Sequence, residues 1–301
     1  MIGFIGAGKV GRTLGRYFAQ QGIAVTGYYS RSMASAHKAA TMTNSSVFNN
    51  KEELVESADY MMLTVPDDVI HHVAHQLSQC KCKWQTKVIC HTSGVHPSTL
   101  LKPLEELGAT VASLHPMLSF ANVDAALEAL CKTPLTLEGN GKKMDDLKQL
   151  LQDVHLHVRT IKTEQKALYH AGACMVSNYL VTLMDIGFQS FKHAGFDVDA
   201  ANQLIAPLAT ATLNNYVTYG SEKALTGPLT RGDLGTITTH IQALSKEDKH
   251  LETIYRLLGL KTLHIVEKQK QLDEYTLYCL KEVLQDEKNN DPDHQKQEEE
   301  K

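Results

Sequence analysis

Short apolar runs alternate with amphipathic stretches through the first half of the chain. The runs at residues 2–5, 24–29, 60–65, 87–91, 110–114, 135–138 and 157–161 have the length and β-branched or aromatic content of strands. Between most of them, residues 10–20, 32–41, 51–57, 68–78, 97–107 and 141–153 repeat apolar positions at helical spacing. Strands and helices alternating at this length predict parallel strands joined by crossover helices, hence a doubly wound, mostly parallel α/β sheet. Gly22 and Gly108 fall where two of these helices should stop.

The pattern changes near Lys162. From there to about residue 285 no run alternates with period two. Helical spacing dominates at 164–194, 198–219, 236–244, 246–257, 260–270 and 274–284. The first of these reads as one long rod at the centre of an all-α domain. Residues 286–301 are almost entirely charged, amide or proline, a composition that buries no core and predicts disorder. The expected organisation is therefore a cofactor-type α/β domain over 1–161, a helical domain for substrate and dimer contacts over 162–285, and a charged tail over 286–301.

Composition narrows the function classes. With 301 residues, 43% hydrophobic and 21% charged, the chain has the make-up of a two-domain globular protein. Its net charge of −4 argues against nucleic acid or an anionic membrane as partner, since both reward a basic surface. Seven acids against three lysines in 286–301 account for that whole charge, so an anionic ligand must be held by local groups such as Arg31 and Arg231. No basic segment precedes the first apolar run, and the apolar stretch 172–188 contains Ser177, Asn178, Thr182 and Asp185. Neither a signal peptide nor a membrane span is expected. Six scattered cysteines then read as reduced thiols of a cytoplasmic protein. Cys80-Lys81-Cys82 lacks a second ligand pair, and His71 and His75 lack a third ligand, so no metal site is expected.

Gly6-Ala7-Gly8-Lys9-Val10-Gly11 fits G-x-G-x-x-G, placed between a strand and a helix as a Rossmann dinucleotide site requires. Gly6 permits the turn, Gly8 lets backbone approach a pyrophosphate, and Gly11 lets helix and strand pack closely. The N–H groups and dipole of the helix start would hold the phosphates. The second strand ends at Ser30-Arg31-Ser32, with no acid where an NAD site places one for the ribose hydroxyls. Arg31 would attract a 2′-phosphate and the serines can donate to it, so NADP(H) is the expected cofactor; Arg31 stacking on adenine is the alternative. Val65 and Pro66, at the end of another strand, border the same crevice, and Asp67 or Asp68 is expected to cap the next helix.

Three polar clusters are candidates for chemistry. They are His91-Thr92-Ser93-Gly94, Ser113-Leu114-His115-Pro116-Met117, and the i, i+4 stripe Lys166, His170, Cys174 and Asn178 with Ser177 beside it. A polar line on an otherwise apolar helix either faces a ligand or joins an interhelical or solvated network.

These runs, with Ser119-Phe120, Lys166-Ala167-Leu168-Tyr169-His170 and Gly227-Pro228-Leu229-Thr230-Arg231-Gly232-Asp233, resemble a bacterial family with a Rossmann-like domain and a helical domain of unknown function, usually assigned as NADP oxidoreductases. The resemblance spans about residues 1–285. The architecture is similar to pyrroline-5-carboxylate reductase, 3-hydroxyisobutyrate dehydrogenase and ketopantoate reductase. It implies reduction of a small 2-keto acid, with 2-dehydropantoate in pantothenate biosynthesis the leading substrate, and a homodimer. Ketopantoate reductase carries Lys-x-x-x-Asn on the corresponding helix. Here Cys174 stands four before Asn178, so the acid role passes to His170, with Lys166 or His115 as alternatives. Asn178, Ser177 and Ser93 would orient the substrate, and Arg231 would hold its carboxylate or else pair with Asp233. An imine, 3-hydroxyacid or prephenate-type dehydrogenase and an NADP(H) sensor without turnover are the competing readings.

Overall fold

The computed structural model describes residues 1–285; the tail at 286–301, expected to be disordered, lies outside the described residues. The chain divides into two compact units, residues 1–179 and residues from Leu180 onward.

The first unit is built on eight strands: β1 (Ile2–Ile5), β2 (Val25–Tyr29), β3 (Ser46–Val47), β4 (Tyr60–Leu63), β5 (Val88–His91), β6 (Thr110–Pro116), β7 (Leu135–Asn140) and β8 (Val158–Thr160). They form one sheet in the order β3-β2-β1-β4-β5-β6-β7-β8. All neighbours are parallel except β6 and β7. The order reverses between β1 and β4, which opens a crevice at their carboxyl ends, where ligands of such sheets bind. The helices between the strands are α1 (Lys9–Gln20), α2 (Met33–Thr43), α3 (Lys51–Ser57), α4 (Ile70–Ser78), α5 (Lys102–Glu105), α6 (Val123–Leu130) and α7 (Met144–Asp153). Every residue of β1 and β5 is buried, because helices cover both faces of the sheet. The two faces make separate cores, one around Phe4, Phe18 and Tyr28, the other around Ile5, Leu63 and Trp84. The unit ends with α8 (Lys166–Val176).

Between residues 178 and 285 the chain is mainly helical: α9 (Asn178–His193), α10 (Val198–Ala224), α11 (Leu234–Glu247), α12 (Lys249–Gln269) and α13 (Glu274–Gln285). Ile237, Ile241, Leu263, Leu280 and Leu284 of the last three helices form a small core. Glu252 and Arg256, one turn apart on α12, pair at 2.7 Å in its interior.

Two expectations about the helices fail, and two elements were not expected. The long rod over 164–194 is two helices broken at Ser177, whose φ of −118° and ψ of −73° depart from regular helix values. The stretches 246–257 and 260–270 are one helix, α12. Gly259, in the gap between them, lets Leu284 pack against α12: a Cβ there would lie 2.6 Å from a Leu284 methyl. Finally, β3 and α6 had no counterpart among the expected elements.

The stretch Thr163–His193 is long and apolar enough, by length and hydropathy alone, to cross a membrane, and none of its most apolar window is buried. Leu168 is 81% exposed, Val181 71% and, on α10, Val217 76%.

Candidate functional site

The Gly-rich loop leads from β1 into α1. Gly6 has φ of +108°, which the turn requires. A Cβ on Gly11 would stand 2.5 Å from both the Gly6 carbonyl and Thr64 Oγ1, so only glycine lets α1 approach the strands. Around Gly8, by contrast, nothing lies within 4 Å of a Cβ position, leaving open space beside the loop backbone. No side chain caps α1 and its first turn holds no acid, so its N–H groups and positive dipole end point at that space. These features fit a dinucleotide pyrophosphate.

A cavity of about 570 Å³ continues from the loop over the carboxyl ends of β1, β2 and β4. Gly6, Ala7, Gly8, Ser30, Arg31, Val65 and Pro66 line it. Ser35, Lys51, His72 and Gln76, which had no place among the expected cofactor residues, line it too. Ser32 is spent differently, its hydroxyl accepting from the N–H of Ser35 to cap α2. Lys9 Nζ reaches the carbonyl of Ala121 at 2.7 Å, and Val10 packs against the Phe4 and Phe18 core. The cavity lining contains no carboxylate.

The second cluster gathers at the ends of β5 and β6. His91 is fully buried; its Nε2 lies 3.0 Å from the Pro97 carbonyl and its Nδ1 accepts from the N–H of Ser93. Burial holds its pKa at about 4, so it stays neutral and shapes the loop. The Ser93 hydroxyl donates to Asp67 Oδ2 at 2.6 Å and accepts from the N–H of His96. Asp67 thus reaches across to this loop, and α4 starts without a side-chain cap, contrary to the capping expected of Asp67 or Asp68.

Lys166, at the start of α8, is buried and donates to Ser113 Oγ at 2.7 Å and to the Ser93 carbonyl at 3.3 Å. Burial lowers its pKa, while the charges of Glu138 and Asp67 oppose that shift. Glu138 is a buried carboxylate on β7 that accepts from the N–H and hydroxyl of Ser98 and from the hydroxyl of Thr163. It therefore ties the segment leading into α8 to the sheet.

One turn beyond Lys166, His170 meets His115 with ring centroids 5.7 Å apart. His115 Nδ1 stands 2.9 Å from the Tyr169 hydroxyl, and Cys174 Sγ lies 3.8 Å from His170 Nδ1. Burial first, then the neighbouring His170 and Lys166, hold the His115 pKa at about 4. Its ring is neutral at neutral pH. Gly94 backs the two rings; a Cβ there would come within 2.8 Å of His115 Nε2. The rings open on a second cavity of about 380 Å³, which Ser119, Cys174, Ser177 and Asn178 also line. The break at Ser177 turns the chain so that Ser177 and Asn178 both reach this cavity. Of the i, i+4 stripe, Lys166 alone turns into the sheet.

Arg231 stands apart in sequence and in unit: it is exposed at the end of a single 3-10 turn in the second unit. Asp233 caps α11 through Thr236, and those bonds, with the charge of Arg231, lower its pKa. Among the described residues no group of three or more His, Cys, Asp or Glu could hold a metal ion.

Comparison with known proteins agrees with the domain pair that the motifs implied. Residues 1–116 match the Rossmann-like domain, and residues 133–262 match a domain of unknown function (DUF2520). The chain carries both domains. No curated protein sequence matches it significantly. Among solved structures, a Thermotoga maritima protein superposes with a TM-score of 0.71 at 24% identity, over 90% of this chain and 100% of its own. A Bacteroides fragilis protein assigned as an NADP oxidoreductase gives 0.70 at 20% identity, over 88% and 97%. A Plasmodium falciparum pyrroline carboxylate reductase with NADP bound gives 0.57 at 14% identity, over 94% and 97%. At these identities the likeness is one of fold.

Proposed function

We propose that the chain is an NADPH-dependent oxidoreductase that reduces the carbonyl of a small 2-keto acid, with 2-dehydropantoate as the leading substrate. The observation that carries this reading is the His115–His170 pair, set over Gly94 at the strand ends beside a cavity of small-acid size. Two of the structural neighbours, one assigned as an NADP oxidoreductase and one a pyrroline carboxylate reductase with NADP bound, support the cofactor.

The Gly6–Gly11 loop and Arg31 would hold the cofactor, which when bound supplies the hydride. His170 protonates the alkoxide that develops as the carbonyl is reduced. His115, neutral and fixed by Tyr169, keeps the imidazole of His170 in place and lines the approach to it. The Lys166 amine is engaged with Ser113 and Ser93, so it acts by anchoring α8 rather than by giving up a proton to substrate. Ser177 and Asn178 orient the substrate oxygens. The Ser93 hydroxyl, taken by Asp67, shapes the loop under Gly94.

The copy of the chain that works is a homodimer. Exposed apolar residues on each of α8, α9 and α10, with Leu168, Val181 and Val217 all more than two-thirds exposed, exceed what a monomer leaves in water. Thr182 and Asp185 in the same stretch favour a second protein copy over lipid.

Imine reduction is the second reading, favoured by the pyrroline carboxylate reductase neighbour. NADPH oxidation assayed with a panel of 2-keto acids that includes ketopantoate, and with a cyclic imine acid, separates the two. Fastest turnover of ketopantoate is expected. Preference for the imine would overturn the substrate, and tight NADPH binding without any turnover would leave a sensor.

A further inference from the structure

The dinucleotide cavity has a second cationic wall that the glycine loop and Arg31 do not explain. Strands β2 and β3 pair in parallel through Gly27 with Ser46 and Tyr28 with Val47, so their carboxyl ends lie side by side. Arg31 follows β2 by two residues and Lys51 follows β3 by four, which brings both cations to one edge of one cavity. The Lys51 ammonium sits 5.4 Å from the centroid of the Tyr29 ring and donates to Gln76 Oε1. The Gln76 amide in turn lies 2.9 Å from His72 Nε2, to which it can donate. This chain from α3 to α4 fixes where the ammonium stands. No carboxylate competes for it inside the cavity: Glu52, the next residue, accepts from the N–H of Lys81 instead.

A lysine held in place beside an arginine, in a cavity without acids, is matched to a dianion. We infer that Lys51 is a specificity-determining residue, the second cation for the 2′-phosphate of the adenosine ribose, with Gln76 as its positioning residue. This rests on the NADP(H) reading and deepens it. Arg31 is exposed, and a phosphate held between two cations discriminates against a bare 2′-hydroxyl more strongly than one held by a single side chain.

The test is a set of binding titrations with NADPH, NADH, 2′,5′-ADP and 5′-AMP on the full-length protein and its Lys51→Gln, Lys51→Arg and Gln76→Ala variants. Lys51→Gln should weaken NADPH and 2′,5′-ADP by about tenfold and leave NADH and 5′-AMP within about twofold. Lys51→Arg should keep the preference for NADPH, and Gln76→Ala should lose a smaller part of it. Unchanged NADH and 5′-AMP binding also shows that the variants fold. Equal losses on all four ligands, or none on any, would overturn the role of Lys51 while leaving NADP(H) as cofactor. A wild-type protein that binds NADH as tightly as NADPH would remove both readings together.

Discussion

The first unit and the helices that follow it use their apolar residues in opposite ways. In the first unit, β1 and β5 are wholly buried and the two sheet faces each close over a continuous core. Its polar groups at the strand ends are equally committed: Glu138 has three donors, Lys166 two acceptors, and Ser93 a donor and an acceptor. Helix α9 buries none of its residues and α10 buries only Ala201. Burial of apolar surface contributes roughly 25 cal/mol per Å², so helices that leave it exposed hold stabilisation in reserve for another surface. The sheet unit thus commits its polar groups at the strand ends, whereas α9 and α10 leave exposed the apolar residues that we propose for the dimer contact.

The largest change is expected at the proposed dimer contact on α10. Val217→Asp combined with Leu208→Asp places two charges on exposed apolar positions of α10. Analytical ultracentrifugation should show a dimer for the natural chain and a monomer for the variant, with NADPH affinity within about twofold, since the Gly-rich loop belongs to the first unit. A natural chain that sediments as a monomer would contradict the proposed dimer.

The second effect belongs to the sheet unit alone. His91 and His115 are both held at about 4, against an ordinary histidine value of 6.5. Below 6.5 the unfolded chain takes up protons that the folded chain refuses, so the stability these neutral rings contribute is complete above pH 6.5 and drains away as pH falls toward 4. The loss should approach about 3 kcal/mol for each ring. Denaturant titrations at pH 7 and pH 4.5, on the natural chain and on His91→Asn, would read it as a pH slope that the variant flattens. Equal slopes would place His91 outside the acid response.

The same contrast explains what could be read along the chain. Strands β1 and β4, and β5 up to His91, are short apolar runs because both of their faces are covered, and the Gly6–Gly11 loop needs glycine for reasons of local geometry. Both signals are local. Strand β3 is only two residues long, too short for any period to show. Helix α6 did leave a trace: Asn122 caps it by accepting from the N–H groups of Asp124 and Ala125, and the alanines and leucines after it repeat at helical spacing. The break at Ser177 has no glycine or proline to announce it. Glu138 finds its partners 40 residues back and 25 residues on, which no spacing rule reaches. Lys51 and Gln76 likewise meet only because β3 pairs with β2 and α4 packs beyond it. At the chemical site the residue types were legible in His115, His170, Ser177 and Asn178. Tyr169, which fixes His115, and Asp67, which holds Ser93, became visible only once the strand ends were brought together.

We propose that the strand-end site reduces its substrate with His170 as the acid. The most direct measurement compares kcat for ketopantoate-dependent NADPH oxidation with the dissociation constant for NADPH, in the natural chain and in His170→Ala. A fall in kcat of about 100-fold or more is predicted, with the NADPH dissociation constant changed by less than about threefold. An unchanged kcat, or losses of equal size in kcat and NADPH affinity, would contradict it.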